Sequence, residues 1–85
     1  LMEPDILKIE DLKEGMELEG TVRNVTNFGA FIDIGLKNDA LLHISEFPTR
    51  INDLLSILSV GDIIKVKIKG VELERGRVSL TKKGL

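Results

Sequence analysis

Apolar and polar positions alternate with a period of two over most of this chain, as expected of strands with one face in a core. In "ELEGTVRNV" (17–25), Leu18, Gly20 and Val22 alternate with Glu19, Thr21 and Arg23, which predicts a first strand. "GAFIDI" (29–34) sets Ala30, Ile32 and Ile34 against Phe31 and Asp33 and predicts a second, followed by a turn in "GLKND". "ALLHIS" (40–45) predicts a third, with Leu42 and Ile44 on one face and Leu41 and His43 on the other. "IIKVKIKGV" (63–71) predicts a fourth, with Ile64, Val66 and Ile68 opposite Lys65, Lys67 and Lys69. A turn at Gly76 leads to a fifth over 77–81, with Val78 and Leu80 opposite Arg77, Ser79 and Thr81. "INDLLSIL" (51–58) is the one segment that reads as a helix, and "EDLKEGM" could form a single helical turn stopped by Gly15. Residues 1–10 have no clean period and read as a linker or tail, leaving 11–83 as the domain.

These apolar faces predict a core of Leu18, Val22, Ile32, Ile34, Leu42, Ile44, Ile64, Val66, Ile68, Val78 and Leu80. Five short antiparallel strands with a helix after the third predict an all-β, five-stranded Greek-key barrel of the OB-fold type. The neighbour order expected is 1-2-3-5-4, with strand 4 returning to strand 1. Closure would remove most exposed edges and give a short chain a usable core. An internal echo supports the register. "LKEGMELEGTVRNV" (12–25) and "LSVGDIIKVKIKGV" (58–71) superpose without gaps, matching Leu12 to Leu58, Gly15 to Gly61 and Val22 to Ile68.

Composition narrows the function. Eighty-five residues make one domain, expected to be monomeric in isolation. Without cysteine there is no disulfide or thiolate metal site, and one histidine builds no metal site alone, so no metal or cofactor is expected. The apolar runs are too short to cross a membrane as a helix, no signal peptide is visible, and a reduced, cytoplasmic setting is expected. The opening "LME" suggests a domain cut from a longer chain. The formal net charge of -2 is uneven: residues 1–19 sum to -5 and residues 20–85 to +3. The body of the domain is therefore mildly basic, which permits a polyanionic partner.

Two of the three phenylalanines, Phe28 and Phe31, stand three apart in "NVTNFGAFIDIG", and there is no Trp or Tyr. Alternation turns Phe31 outward with Asp33. Phe28 precedes the strand at an expected bulge beside Gly29. In the 1-2-3-5-4 order, Phe31, His43 and Arg77 share one outer patch, flanked by Arg23 and by Lys65, Lys67 and Lys69. Rings that stack bases, bordered by cations that track phosphates, are the parts of a single-strand binding surface. Each part also has a plain reading. Phe31 could cap the barrel, Phe28 could be a core edge, and His43 could be a hydrogen-bonded surface residue. The lysine row could be a solvated face, and Arg77 could form a cross-hairpin ion pair with Glu72 or Glu74.

Taken together, "GTVRNVTNFGAFIDIG…ALLHIS…VGDIIKVKI…LERGRVSLT" resembles the S1 RNA-binding domain over about Asp11 to Lys82. With its leader, the chain is most similar to the C-terminal S1 domain of bacterial Tex-type transcription accessory proteins. The resemblance implies an RNA-contacting face at Phe28, Phe31, His43, Glu72 and Arg77. The chain departs from the family pattern at Ala40, where glycine is usual. It departs again at Glu72, where aspartate is common, and in a hairpin one residue longer than in some members. The expected function is a single-stranded RNA-binding module of a larger protein, with single-stranded DNA and other domains of the parent chain as further partners. The alternative is a protein-docking barrel. A small hydrolase is the weakest reading, because His43, Ser45 and Asp33 have no pocket in a filled barrel and no catalytic motif accompanies them.

Overall fold

The computed structural model describes residues 9–84. It contains five strands: β1 (Glu17–Val25), β2 (Gly29–Asp33), β3 (Ala40–His43), β4 (Ile63–Glu72) and β5 (Arg77–Thr81). They close into a barrel in the order β1-β2-β3-β5-β4, with β4 hydrogen-bonded back to β1. Four of the pairings are antiparallel, whereas β3 and β5 run parallel, with Leu41 beside Ser79 and Leu42 beside Leu80. The all-antiparallel expectation is corrected here for a geometric reason. Strand direction cannot alternate all the way around a closed ring of five, so one parallel contact is required.

The core is the inward side of each strand. Of the eleven residues predicted to fill it, eight are buried: Val22, Ile32, Ile34, Leu42, Val66, Ile68, Val78 and Leu80. Leu18, Ile44 and Ile64 are partly buried and pack against them. Leu12, Ala30, Ala40, Phe47, Leu54 and Leu58 complete the cluster.

The predicted helix over 51–58 is a 3-10 turn of three residues, Leu54–Ser56. Leu54 and Leu58 are both buried, so the helical spacing is real. It covers a single turn, too short to repay helix nucleation. Ser56 also donates its hydroxyl to the carbonyl of Asp53 at 2.7 Å, a local bond that competes with helix propagation. The third strand stops at His43, and Ile44–Glu46 form another 3-10 turn. Of the segment read as a linker or tail, residues 1–8 lie outside the described residues, while Ile9–Asp11 form a third 3-10 turn. No helix among the described residues is long and apolar enough to cross a membrane.

The sequence echo is a local pseudo-twofold in the β1/β4 pair. Gly15 and Gly61 both have left-handed backbone, with φ of 89° and 98°. A side chain would meet nothing within 4 Å at either position, so conformation rather than space calls for glycine. Gly15 N–H donates to the Ile68 carbonyl and Gly61 N–H to that of Val22, each at 2.8 Å. Ile68 N–H in turn donates to the Met16 carbonyl and Val22 N–H to that of Asp62, again at 2.8 Å. Glu17 faces Lys67 while Thr21 faces Ile63, and Glu19 faces Lys65 at the centre. The register slips once in each strand at equivalent places, at Arg23 in β1 and at Lys69 in β4. Both slips are β-bulges, which bend the strands toward their next partners.

Candidate nucleic-acid interface

Phe28 and Phe31 reach the surface by different routes. Phe31 is the outward residue of β2 between the buried Ala30 and Ile32, and is half-buried against its neighbours. Phe28 lies in the tight connection between β1 and β2 and is 46% exposed. No bulge lies beside Gly29; the register slip belongs to Arg23, five residues earlier than Phe28. Thr26 holds the connection instead. Its hydroxyl donates to the Gly29 carbonyl at 2.9 Å and accepts from the N–H groups of Phe28 (3.3 Å) and Gly29 (3.2 Å). Gly29 then lets β2 press against β3, because a side chain there would stand 2.8 Å from the carbonyl oxygen of Leu42.

Gly29 pairs with His43, which brings the imidazole to the phenylalanines. The Phe28 ring lies 6.4 Å from that of Phe31, edge to face at 90°, and 6.5 Å from that of His43 at a tilt of 39°. His43 is oriented by Ser45, whose backbone N–H donates to Nδ1 at 3.1 Å and whose hydroxyl oxygen stands 2.9 Å from the same atom. A neutral imidazole that accepts at Nδ1 carries its proton on Nε2. This leaves a donor on the exposed side of the ring. The third aromatic, Phe47, is buried, so the surface phenylalanines are not overflow from a core lacking aromatics.

Beyond Phe31 lies an open groove of about 550 Å³, lined by Phe31, Leu41, Glu72, Arg75, Arg77 and Ser79, with Asn38 and Asp39 at its end. Phe31 faces Leu41 across β2/β3, and Leu41 faces Ser79 across β3/β5. Arg77 and Glu72 face each other at the open end of the β4–β5 hairpin. The structure thus joins Phe28, Phe31, His43, Glu72 and Arg77 on one continuous surface. Leu41, Ser79, Asn38, Asp39 and Arg75 also line the groove but were given no role from sequence. The outward faces of Leu41 and Ser79 were legible there; their adjacency depends on the parallel β3/β5 pair.

The flanking cations are differently placed. Arg23 stands 3.7 Å from Asp33 and 3.9 Å from Asp39, so its charge is shared by two carboxylates. Lys69 is paired with Glu46. Lys65 and Lys67 face Glu19 and Glu17 across β1/β4, around the barrel from the rings. The only resolved shift among the titratable groups described is at Glu46, held below its ordinary value of 4.5 chiefly by the hydrogen bond from Lys69, against the opposing effect of burial.

Comparisons with known proteins agree with this geometry. Residues 11–83 match the family described as S1 RNA binding domain. The uncharacterized protein YdcI of Bacillus subtilis is 55% identical over 82 residues, covering 95% of this chain and 11% of that protein. The transcriptional accessory protein Tex of Neisseria gonorrhoeae is 47% identical over 77 residues, covering 89% of this chain and 10% of that protein. The chain therefore spans about a tenth of the length of these relatives. Among solved structures, the a/eIF2alpha-aDim2p-rRNA complex from Pyrococcus horikoshii contains a chain that superposes with a TM-score of 0.77 at 27% identity, covering 82% of this chain and 44% of that one. The family match spans most of the barrel and its surface rings, and the chain belongs to the S1 RNA-binding domain family.

Proposed function

We propose that this domain binds single-stranded RNA by stacking unpaired bases on Phe28 and Phe31. His43 Nε2–H supplies a directional donor, and Arg77 contacts the strand at the far end of the groove. One observation carries the reading: three rings lie within about 6.5 Å of one another on the outside of a barrel that has buried its other aromatic residue. Stacking on a protein ring contributes roughly 1–3 kcal/mol per base and tolerates any base, so weak sequence preference follows. Single-stranded DNA presents the same faces. Glu72 lies within the groove, where its charge disfavours phosphate and its oxygens can accept from base amino groups. Lys65 and Lys67 contribute a general field rather than direct contacts. The supporting comparisons are the family itself and a structural neighbour solved in a complex with rRNA.

The test is binding of one oligonucleotide, single-stranded and then annealed, across a salt series. Single strands are expected to bind tighter, with a shallow slope of about -0.7 per phosphate contact. Phe31→Ala is expected to lose an order of magnitude or more of affinity while the protein stays folded. Equal or tighter binding of the duplex would show that the rings do not stack, because paired bases hide their faces.

Protein docking is the second reading, favoured by exposed apolar residues between Leu55 and Ile63. Val60 is 68% and Ile63 71% exposed. In a longer chain these are the side chains that would meet another domain, and they are not the ring residues. Unchanged RNA affinity in a folded Phe31→Ala protein would favour it.

A further inference from the structure

The aromatic patch has a groove at each end, and the two differ in charge. The Arg77 groove mixes Arg75 and Arg77 with Asp39 and Glu72. At the other end, past His43, a second groove of about 410 Å³ opens at Ser45, with Phe47 and Ile51 in its wall and Thr49, Arg50 and Lys83 on its rim. No carboxylate lines it. Neither Arg50 nor Lys83 has an ion pair among the described residues. The nearby acid, Glu46, is already engaged by Lys69. Ser45 touches both places, because the residue that lines this groove also fixes the His43 ring.

We infer that the Ser45–Thr49–Arg50–Lys83 groove is a phosphate-binding extension of the RNA site, taking the backbone of the strand as it leaves the rings past His43. This rests on the reading of the rings given above and adds a direction to it. Base edges lie toward the mixed-charge groove, where acceptors and donors alternate. Phosphates lie toward the acid-free one, where two cations and two hydroxyls stand without competing anions. A polyanion crossing the patch meets repulsion from Asp39 and Glu72 at one end and none from the lining of the other.

The experiment compares uridine oligomers of about three and about nine nucleotides, the shorter long enough for the ring patch alone. They are titrated against the wild-type protein, Phe31→Ala, and the double variant Arg50→Ala/Lys83→Ala, all across a salt series. Arg50 and Lys83 are exposed, so the double variant should fold. It is expected to bind the short oligomer as the wild type does. With the long one, its salt slope should shrink by about 1.4, two contacts at about 0.7 each. An unchanged slope with the long oligomer, or an equal loss for both lengths, overturns the extension. If the long oligomer depends on Phe31 and not on the two cations, the ring reading stands and the extension alone falls. If the wild type binds neither oligomer, the ring reading falls and takes the extension with it.

Discussion

The β1 and β4 arms are one backbone used twice, and they differ where they end. Each begins at a left-handed glycine, buries its fourth and sixth strand residues, and breaks register at a basic residue. After its bulge, β1 turns back within four residues, and Thr26 locks Phe28 onto the surface beside His43. After its own bulge, β4 runs on into a longer hairpin tipped by Leu73, Glu74 and Arg75, with Glu72 and Arg77 facing each other at its base. The barrel needs both arms for closure. Only the first is followed by a rigid aromatic platform, so the shared part is scaffold and the recognition chemistry lies in the connections.

Swapping matched residues tests how far the arms are interchangeable. Gly20 in β1 corresponds to Val66 in β4, and both are buried. Val66→Gly removes a fully buried side chain, about 1.5–3 kcal/mol, and adds about 0.5–1 kcal/mol of backbone cost. Gly20→Val should cost about 1–3 kcal/mol or more, because its Cβ would strike the Ile32 Cγ2 methyl, a side chain with no room to move. Urea unfolding should show both losses, with the Val66 change the larger. A Gly20→Val protein as stable as wild type would mean that the arms pack alike and that the close approach of β2 to β1 is not required.

The two connections should separate on function. Phe28→Ala is expected to weaken single-strand binding by about 1–3 kcal/mol. Leu73→Ala, at the tip of the opposite hairpin, should leave it unchanged although Leu73 is also an exposed apolar side chain. Equal losses in a fluorescence titration would show that exposed apolar area, rather than a fixed ring, holds the ligand.

How much of this was legible before the structure follows from the range of each interaction. Strands and core could be read because alternation is local: Leu42 and Ile32 announce their burial within five residues. The ring patch could be read because Phe31 stands on a polar face, an exception visible along the chain. The bulges left a signal that was passed over. Inward residues run Leu18, Gly20, Val22 and then Val25, and Ile64, Val66, Ile68 and then Val71, a step of three where two is expected; both valines pack on the core. The fate of the cations was not legible. Lys69 meets Glu46 across 23 residues of chain, and Arg23 meets Asp39, only because the barrel closes. Alternation says that such a side chain points outward, not which acid it will find there.

The smallest expected difference concerns those two bulge bases. Arg23 is exposed beside two partly exposed carboxylates at 3.7 and 3.9 Å, an arrangement worth about 1 kcal/mol or less. Lys69 is as exposed, but its partner is not: the Glu46 side chain is only 12% accessible. Around that carboxylate the backbone is tied as well, since the Glu46 carbonyl accepts from Lys82 N–H at 2.8 Å and from the Thr81 hydroxyl at 3.2 Å. The Lys69 hydrogen bond is the largest cause of the lowered Glu46 pKa; burial opposes it, and Thr81 and the charges of Lys69 and Lys83 help. A carboxyl with a lower pKa folded than unfolded favours the folded state in its ionised form. The contribution is therefore complete above the ordinary value of 4.5 and fades as pH falls through the lower folded value. Lys69→Met keeps the stem and removes the charge. It should be less stable than wild type by about 1 kcal/mol at neutral pH, and the gap should close below pH 4.5 as Glu46 takes up its proton in both proteins. Urea midpoints for the pair from pH 7 to pH 3 would follow it. A gap that stays constant over that range would place the role of Lys69 in packing at the bulge, and the two arms would then be alike in this respect too.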